Sequence, residues 1–179
     1  ARIEVDGSCV AKTDSTWVYS LNGPLIAGDI YDGEIYDARR VPADWESAVE
    51  NKSVQVSLVP FEGPEVRVRD EHLWQKPQSI VIYHDTVETA VVDFGQNMVG
   101  WVLFKAKARG GTVMTLRHGE MLNENGDHDG RLEDGPGGSV WTYNLRQADA
   151  KVSYTFRGDA KGEVYHPTHT FMGFRYVSI

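Results

Sequence analysis

At 179 residues, with 41% hydrophobic and 25% charged side chains, the chain has the composition of a globular protein and the length of one domain. A formal net charge of −8, with 18 basic residues scattered singly or in pairs such as Arg39–Arg40, excludes a nucleic-acid-binding surface. No apolar run approaches the roughly 20 residues of a membrane helix, and one cysteine makes no internal disulfide.

Taken in chain order, Ala1–Val5 reads as a strand and lacks the basic and apolar regions of a signal peptide. With no initiator Met, a piece excised from a larger protein is expected. Cys9 fits a small buried hydrophobe in a strand. The stretch 29–45 (DIYDGEIYDARRVPADW) is dense in acids and aromatics, too polar for a core strand. Ala43–Asn51 predicts one or two helical turns, with Asp44 near the start as a cap. Period-two alternation of β-branched and aromatic residues predicts strands at Ser53–Val59, Glu65–Val68, Ser79–Tyr83, Thr89–Phe94, Gly100–Ala106, Thr112–His118, Val152–Arg157 and Phe174–Ile179. Turn chemistry punctuates them at Asn22-Gly23-Pro24, Asp32-Gly33, Glu62-Gly63-Pro64, Arg109-Gly110-Gly111 and Arg157-Gly158-Asp159. Asn123–Ser139 is Gly-rich and acidic, a long exposed loop of the kind that often carries function. Evenly spaced short strands with Gly-rich turns predict one all-β domain over 1–179, an antiparallel β-sandwich of jelly-roll type with little helix.

No hydrolytic signature (G-x-S-x-G, H-E-x-x-H) and no P-loop occurs. Glycoside hydrolysis needs two carboxyls at a set separation, and 26 acids single out no pair. His118 and Glu120 alternate onto one strand face and read as a polar pair there. Metal chemistry has more to work with, because calcium takes about six to eight oxygen ligands from carboxylates, amides and carbonyls. Tyr36–Ser47 offers Asp37, Asp44 and Glu46 as oxygen donors, Arg39 and Arg40 as hydroxyl partners, and Trp45 as an apolar wall. Gln96, Asn97 and Trp101 could face the same rim beside a turn at Gly95. Each has a plainer alternative: an Asp37–Arg39 ion pair fixing the loop, a helix cap at Asp44 and Glu46, and core packing for Trp101. A rival loop, Asn125–Gly130, opens like a calcium loop, but Pro136 stands where the bidentate Glu belongs.

Five motifs in order, DIYDGEIYDAR (29–39), DFGQNMVGWV (93–102), TLRHGEMLN (115–123), TYNLRQA (142–148) and HPTHTFMGFRYVSI (166–179), with TDSTW (13–17) ahead of them, resemble the β-sandwich region of α-L-rhamnosidases of glycoside hydrolase family 78. Some sandwiches at this position are carbohydrate-binding modules of family 67, which bind terminal L-rhamnose with calcium. The family's catalytic barrel lies downstream. The resemblance therefore implies a non-catalytic module, covalently linked to a catalytic domain, that targets a glycan-degrading enzyme to rhamnose-containing polysaccharide. It also implies a secreted or cell-envelope setting, and a monomer is expected. Read from the chemistry of the Tyr36–Ser47 loop and the Gly95 rim, and not carried over from the family position by position, the expected sugar-binding residues are Asp37, Arg39, Trp45, Gln96, Asn97 and Trp101, and the expected calcium ligands are Asp37, Asp44, Glu46 and Asn97. A structural sandwich with no ligand of its own is the alternative. The chain departs from the family pattern in its expanded segment GDHDGRLEDGPGG and in His169, read as a core variation.

Overall fold

The computed structural model describes residues 2–53, 56–60, 62–68, 77, 79–84, 88–124 and 135–179. Among them the strands are β1 (Arg2–Val5), β2 (Ser8–Lys12), β3 (Val18–Tyr19), β4 (Leu25–Asp29), β5 (Gly33–Asp37), β6 (Glu46–Ser47), β7 (Ser79–His84), β8 (Glu88–Gly100), β9 (Phe104–Ala106), β10 (Val113–Gly119), β11 (Met121–Leu122), β12 (Val140–Trp141), β13 (Lys151–Thr155), β14 (Glu163–Tyr165) and β15 (Met172–Ser178). Tyr143–Leu145 forms a 3₁₀ turn. The expected all-β architecture holds.

The sequence reading places one core over 1–179, whereas the contacts divide the chain into two compact units, 1–23 with 41–73, and 24–40 with 74–179. The first unit carries two antiparallel ribbons, β1–β2 and β3–β6. The second is built on a seven-stranded sheet of order β4-β5-β13-β10-β15-β8-β7. Its pairings are antiparallel except β5 with β13, which run parallel from Gly33↔Lys151 to Asp37↔Thr155.

Alternation turns Leu116, Val152, Tyr154, Phe156 and Val177 to one face of the large sheet, where they are buried, and Phe174 joins the same core from beyond the register shift between β15 and β8. The ribbon β9–β14 lies over that face. Phe104 meets Tyr154 edge-on at 5.4 Å between ring centroids, and Tyr165 tilts against Tyr154 at 4.6 Å. Edge-to-face rings add roughly 1 kcal/mol each beyond the area they bury.

Several expectations change. Ala43–Asn51 holds no helix: Asp44 takes a left-handed φ of 54° and Glu46 pairs across from Tyr19. The described residues of Ser53–Val59 and Glu65–Val68 form no strand, because alternation there finds no neighbouring strand to pair with; Val54 and Gln55 lie outside the described residues. The acidic stretch at 29–45 contains β5, with Glu34 and Asp37 buried, since hydrogen bonds meet their carboxylates inside. Cys9 is exposed, on a two-stranded ribbon that has no described buried residue.

Candidate functional site

The residues singled out by sequence fall into both units. Asp37, Arg39, Gln96, Asn97 and Trp101 belong to the second; Asp44, Trp45 and Glu46 belong to the first.

In the second unit Asp37 ends β5 with its backbone N–H donating to the Pro24 carbonyl at 2.8 Å. Arg39 grips it bidentately, Nε to Oδ1 at 2.9 Å and Nη2 to Oδ2 at 2.8 Å, and the Arg39 backbone N–H adds a third bond at 3.0 Å. Those hydrogen bonds, helped by the guanidinium charge, hold the Asp37 carboxyl down at about 2. The ion-pair alternative is the arrangement found. A carboxylate with both oxygens on a guanidinium is a poor calcium ligand, because the fixed cation repels the metal.

In the first unit Glu46 accepts from the Tyr19 hydroxyl at 2.7 Å, and Asp44 from the Asn22 amide at 3.1 Å. Trp45 is more than half exposed. No group of three or more His, Cys, Asp or Glu suited to a metal occurs among the described residues. The rival calcium loop, Asn125–Gly130, lies outside them.

Gln96 and Asn97 sit on a deformation of β8. Asp93 opposes Tyr176 and Met98 opposes Phe174, so Phe94–Asn97 stand against the single Arg175 of β15. Three features build this bulge. Gly95 supplies a φ of +78°, and its N–H donates to Asp93 Oδ1 at 2.6 Å. Arg175 clamps the same carboxylate bidentately at 2.8 and 2.9 Å, which lowers the Asp93 pKa. The excess residues are thereby pushed outward, and Gln96 and Asn97 are exposed. The Asn97 amide donates to Glu120 Oε1 at 2.9 Å. Gly173, whose missing side chain leaves Glu120 as the nearest group, borders the pair. Trp101 follows the strand, half-buried, and stacks on His166 at 5.8 Å and 22°.

His118 and Glu120 do not share an environment. His118 is 1% exposed on the core face, while Glu120 lies past the strand end in solvent. Burial lowers the His118 pKa to about 4. Its Nδ1–H donates to the Ala150 carbonyl at 3.0 Å, and Nε2 has no partner among the described residues.

Two residues were missed by sequence reasoning. Glu34, 1% exposed, accepts from the Tyr165 hydroxyl and from the backbone N–H groups of Thr168 (3.0 Å) and His169 (2.9 Å). His169 is therefore no core variation: its backbone is tied and its ring is exposed. Glu163, also buried, closes the turn after β13 by accepting from Tyr154 and from three successive backbone N–H groups, Arg157 to Asp159. Both acids stand beside turn glycines in the sequence, the signal that could have found them.

Residues 84–179 match the bacterial alpha-L-rhamnosidase concanavalin-like domain, and residues 2–75 match the alpha-L-rhamnosidase N-terminal domain. An alpha-L-rhamnosidase of Streptomyces avermitilis is 32% identical over 194 residues, covering all of this chain and 17% of its own length. One from Formosa agariphila is 28% identical, covering 93% of this chain and 17% of its own. Among solved structures, the Streptomyces avermitilis enzyme complexed with L-rhamnose superposes with a TM-score of 0.66 at 33% identity, over 87% of this chain and 14% of that one. The Aspergillus terreus enzyme superposes at 0.63 and 31%, over 96% and 19%. The chain thus spans about a sixth of the length of these curated relatives.

Proposed function

The chain belongs to the α-L-rhamnosidase family through its N-terminal and concanavalin-like domains, and on that premise we propose that it is a non-catalytic β-region that recognises terminal L-rhamnose and holds a linked catalytic domain near rhamnose-bearing polysaccharide. The observation that carries the reading is the β8 bulge. It presents an amide and a carboxylate, Asn97 and Glu120, in solvent at hydrogen-bonding separation. L-Rhamnose is a neutral 6-deoxy sugar, so its site needs polar partners for hydroxyls and an apolar surface for the methyl group. Gln96, Asn97 and Glu120 supply the first. Val99, two residues on from Asn97 along the same strand and 75% exposed, supplies the second.

The relative solved with L-rhamnose supports the choice of sugar. Calcium is not needed for this reading, and Asp37, with both carboxylate oxygens held by Arg39, does not fit as its ligand. A linked catalytic domain raises its local substrate concentration when the module is bound, even where the module's own affinity is weak.

Calorimetric titration of the chain with L-rhamnose tests the proposal, with Asn97→Ala and Glu120→Gln expected to lose the heat and Asp37→Asn to keep it. Repeating the titration after chelation tests the metal separately. A second reading, a structural domain that packs on the rest of its enzyme, is favoured by the exposed Ile26 and Ile35 on β4 and β5 and Ile30 and Tyr31 in the turn between them. Absence of heat at millimolar sugar would select it.

A further inference from the structure

We propose that Asn22-Gly23 is a self-modifying site, at which the Asn22 amide closes onto the Gly23 nitrogen and the resulting succinimide opens to isoaspartate. The dipeptide ends the first segment of the first unit, just before the chain passes to Pro24 in the second.

Three features meet there. Asn22 is exposed, so water reaches both the amide and the ring it would form. The attacking atom is unhindered: the Gly23 N–H has no hydrogen-bond partner among the described residues, and a Cβ built at Gly23 would find nothing within 4 Å. Glycine also reaches backbone angles that other residues adopt only at a cost, which eases ring closure. The groups on either side are held. The Asn22 backbone N–H donates to Ser20 Oγ at 3.2 Å, and the Pro24 carbonyl accepts from the Asp37 N–H at 2.8 Å.

The reaction needs no group beyond water. The Gly23 nitrogen gives its proton to solvent and adds to Asn22 Cγ; the Cγ–Nδ2 bond breaks and ammonia leaves. Water then opens the ring. Cleavage at the main-chain carbonyl routes the chain through Cγ as isoaspartate, and cleavage at Cγ leaves ordinary aspartate. Nothing is oxidised or reduced.

Asp44 restrains the step and suffers from it. The Asn22 amide donates to Asp44 Oδ2 at 3.1 Å, and Asp44 holds a left-handed φ of 54°. One hydrogen bond between exposed groups slows the turn of the amide towards Gly23 by a factor of only about five. After reaction a carboxylate replaces the donor, so like charges face each other where the bond stood. Isoaspartate also lengthens the main chain by one methylene. The contact between 20–22 and 43–44, which includes Ser20 Oγ on the Ala43 carbonyl at 2.5 Å, is therefore expected to loosen irreversibly.

Asn97 is the internal control. It too is exposed with its amide on a carboxylate, Glu120 at 2.9 Å, but Met98 follows it and is paired with Phe174 in the sheet. The 179-residue chain is incubated in warm, mildly alkaline buffer, and peptide mapping reads Asn22, Asn97 and the second Asn-Gly, Asn125-Gly126, separately. Methylation by a protein isoaspartyl methyltransferase reports the isoaspartate. Asn22 is expected to disappear with isoaspartate as the larger product while Asn97 persists. Gly23→Ala, which the open space around Gly23 tolerates, should slow the loss about tenfold. Asp44→Gly keeps the left-handed backbone, removes the acceptor and should speed the loss about fivefold. Survival of Asn22 as long as Asn97, aspartate without isoaspartate, or an unchanged rate in Gly23→Ala would each overturn the proposal. An unchanged rate in Asp44→Gly would overturn the restraint by Asp44. The outcome is independent of rhamnose binding.

Discussion

His118 is a base held neutral by its surroundings. Its imidazole is buried against Phe174, edge to face at 5.0 Å, with one nitrogen on a carbonyl and the other unpartnered. Charging it would strand a cation in an apolar layer, which is why its pKa falls from 6.5 to about 4. Below pH 6.5 the unfolded chain takes up a proton that the folded chain refuses. Stability is therefore full above pH 6.5 and declines as the pH falls towards 4, by roughly 3 kcal/mol in all and about 2 kcal/mol between pH 7 and 5. Urea unfolding at the two pH values checks this, and His118→Gln should remove most of the difference. Asp37 acts in the other window: its lowered pKa confers stability above pH 3.8 that is lost as the pH falls towards 2. The Asp37–Arg39 pair was legible in the sequence as one of two readings, because a two-residue spacing after a turn lets a guanidinium reach back. Burial of Glu34 was not legible. Its donors come from more than 130 residues away, and only the fold brings Tyr165, Thr168 and His169 to it.

At the scale of elements, β5 shows how a polar segment becomes a central strand. It pairs antiparallel with β4 and parallel with β13, so both of its edges are hydrogen-bonded. Gly33 makes the parallel junction possible. It adopts a φ of +106°, and a Cβ built there would fall on the Lys151 carbonyl. Gly33→Ala is expected to cost about 4 kcal/mol or more, since it combines a disfavoured backbone with a clash that neither strand can relieve. Gly100→Ala is the control: it has no positive φ and no atom within contact range. A near-neutral Gly33→Ala in thermal denaturation would refute this account of the junction. Of the strands recognised by alternation, β10, β13 and β15 have one face on the core. Strands β3, β4 and β6 were missed because their residues are exposed on both faces and carry no periodic signal.

At the scale of the molecule, the buried hydrophobic residues that are described all lie in the second unit, from Val91 to Val177. The first unit shows two-stranded ribbons and no described buried residue. Apolar area removed from water sets most of a domain's stability, so the two units should not melt together. Calorimetry is expected to show two transitions, the first unit unfolding at the lower temperature. A single transition whose calorimetric and van't Hoff enthalpies agree would contradict this. The two family matches, 2–75 and 84–179, fall close to the same division, although 24–40 crosses over to supply β4 and β5 to the large sheet. The acidic, aromatic composition of 29–45 reads as a polar loop and not as a crossing between units, so a linear reading runs through it as one module.

By itself the sequence determined the all-β class, the family, the turns and the strands that alternate against a core, because these depend on residue type and near neighbours. The tertiary structure decided which acids are buried, where β8 bulges, that β5 lies parallel to β13, and how the candidate residues divide between two units. Those outcomes depend on partners distant in the chain. A carboxylate such as Glu34 or Asp37 enters the interior only when donors from other strands arrive to meet it, and no local pattern announces their arrival.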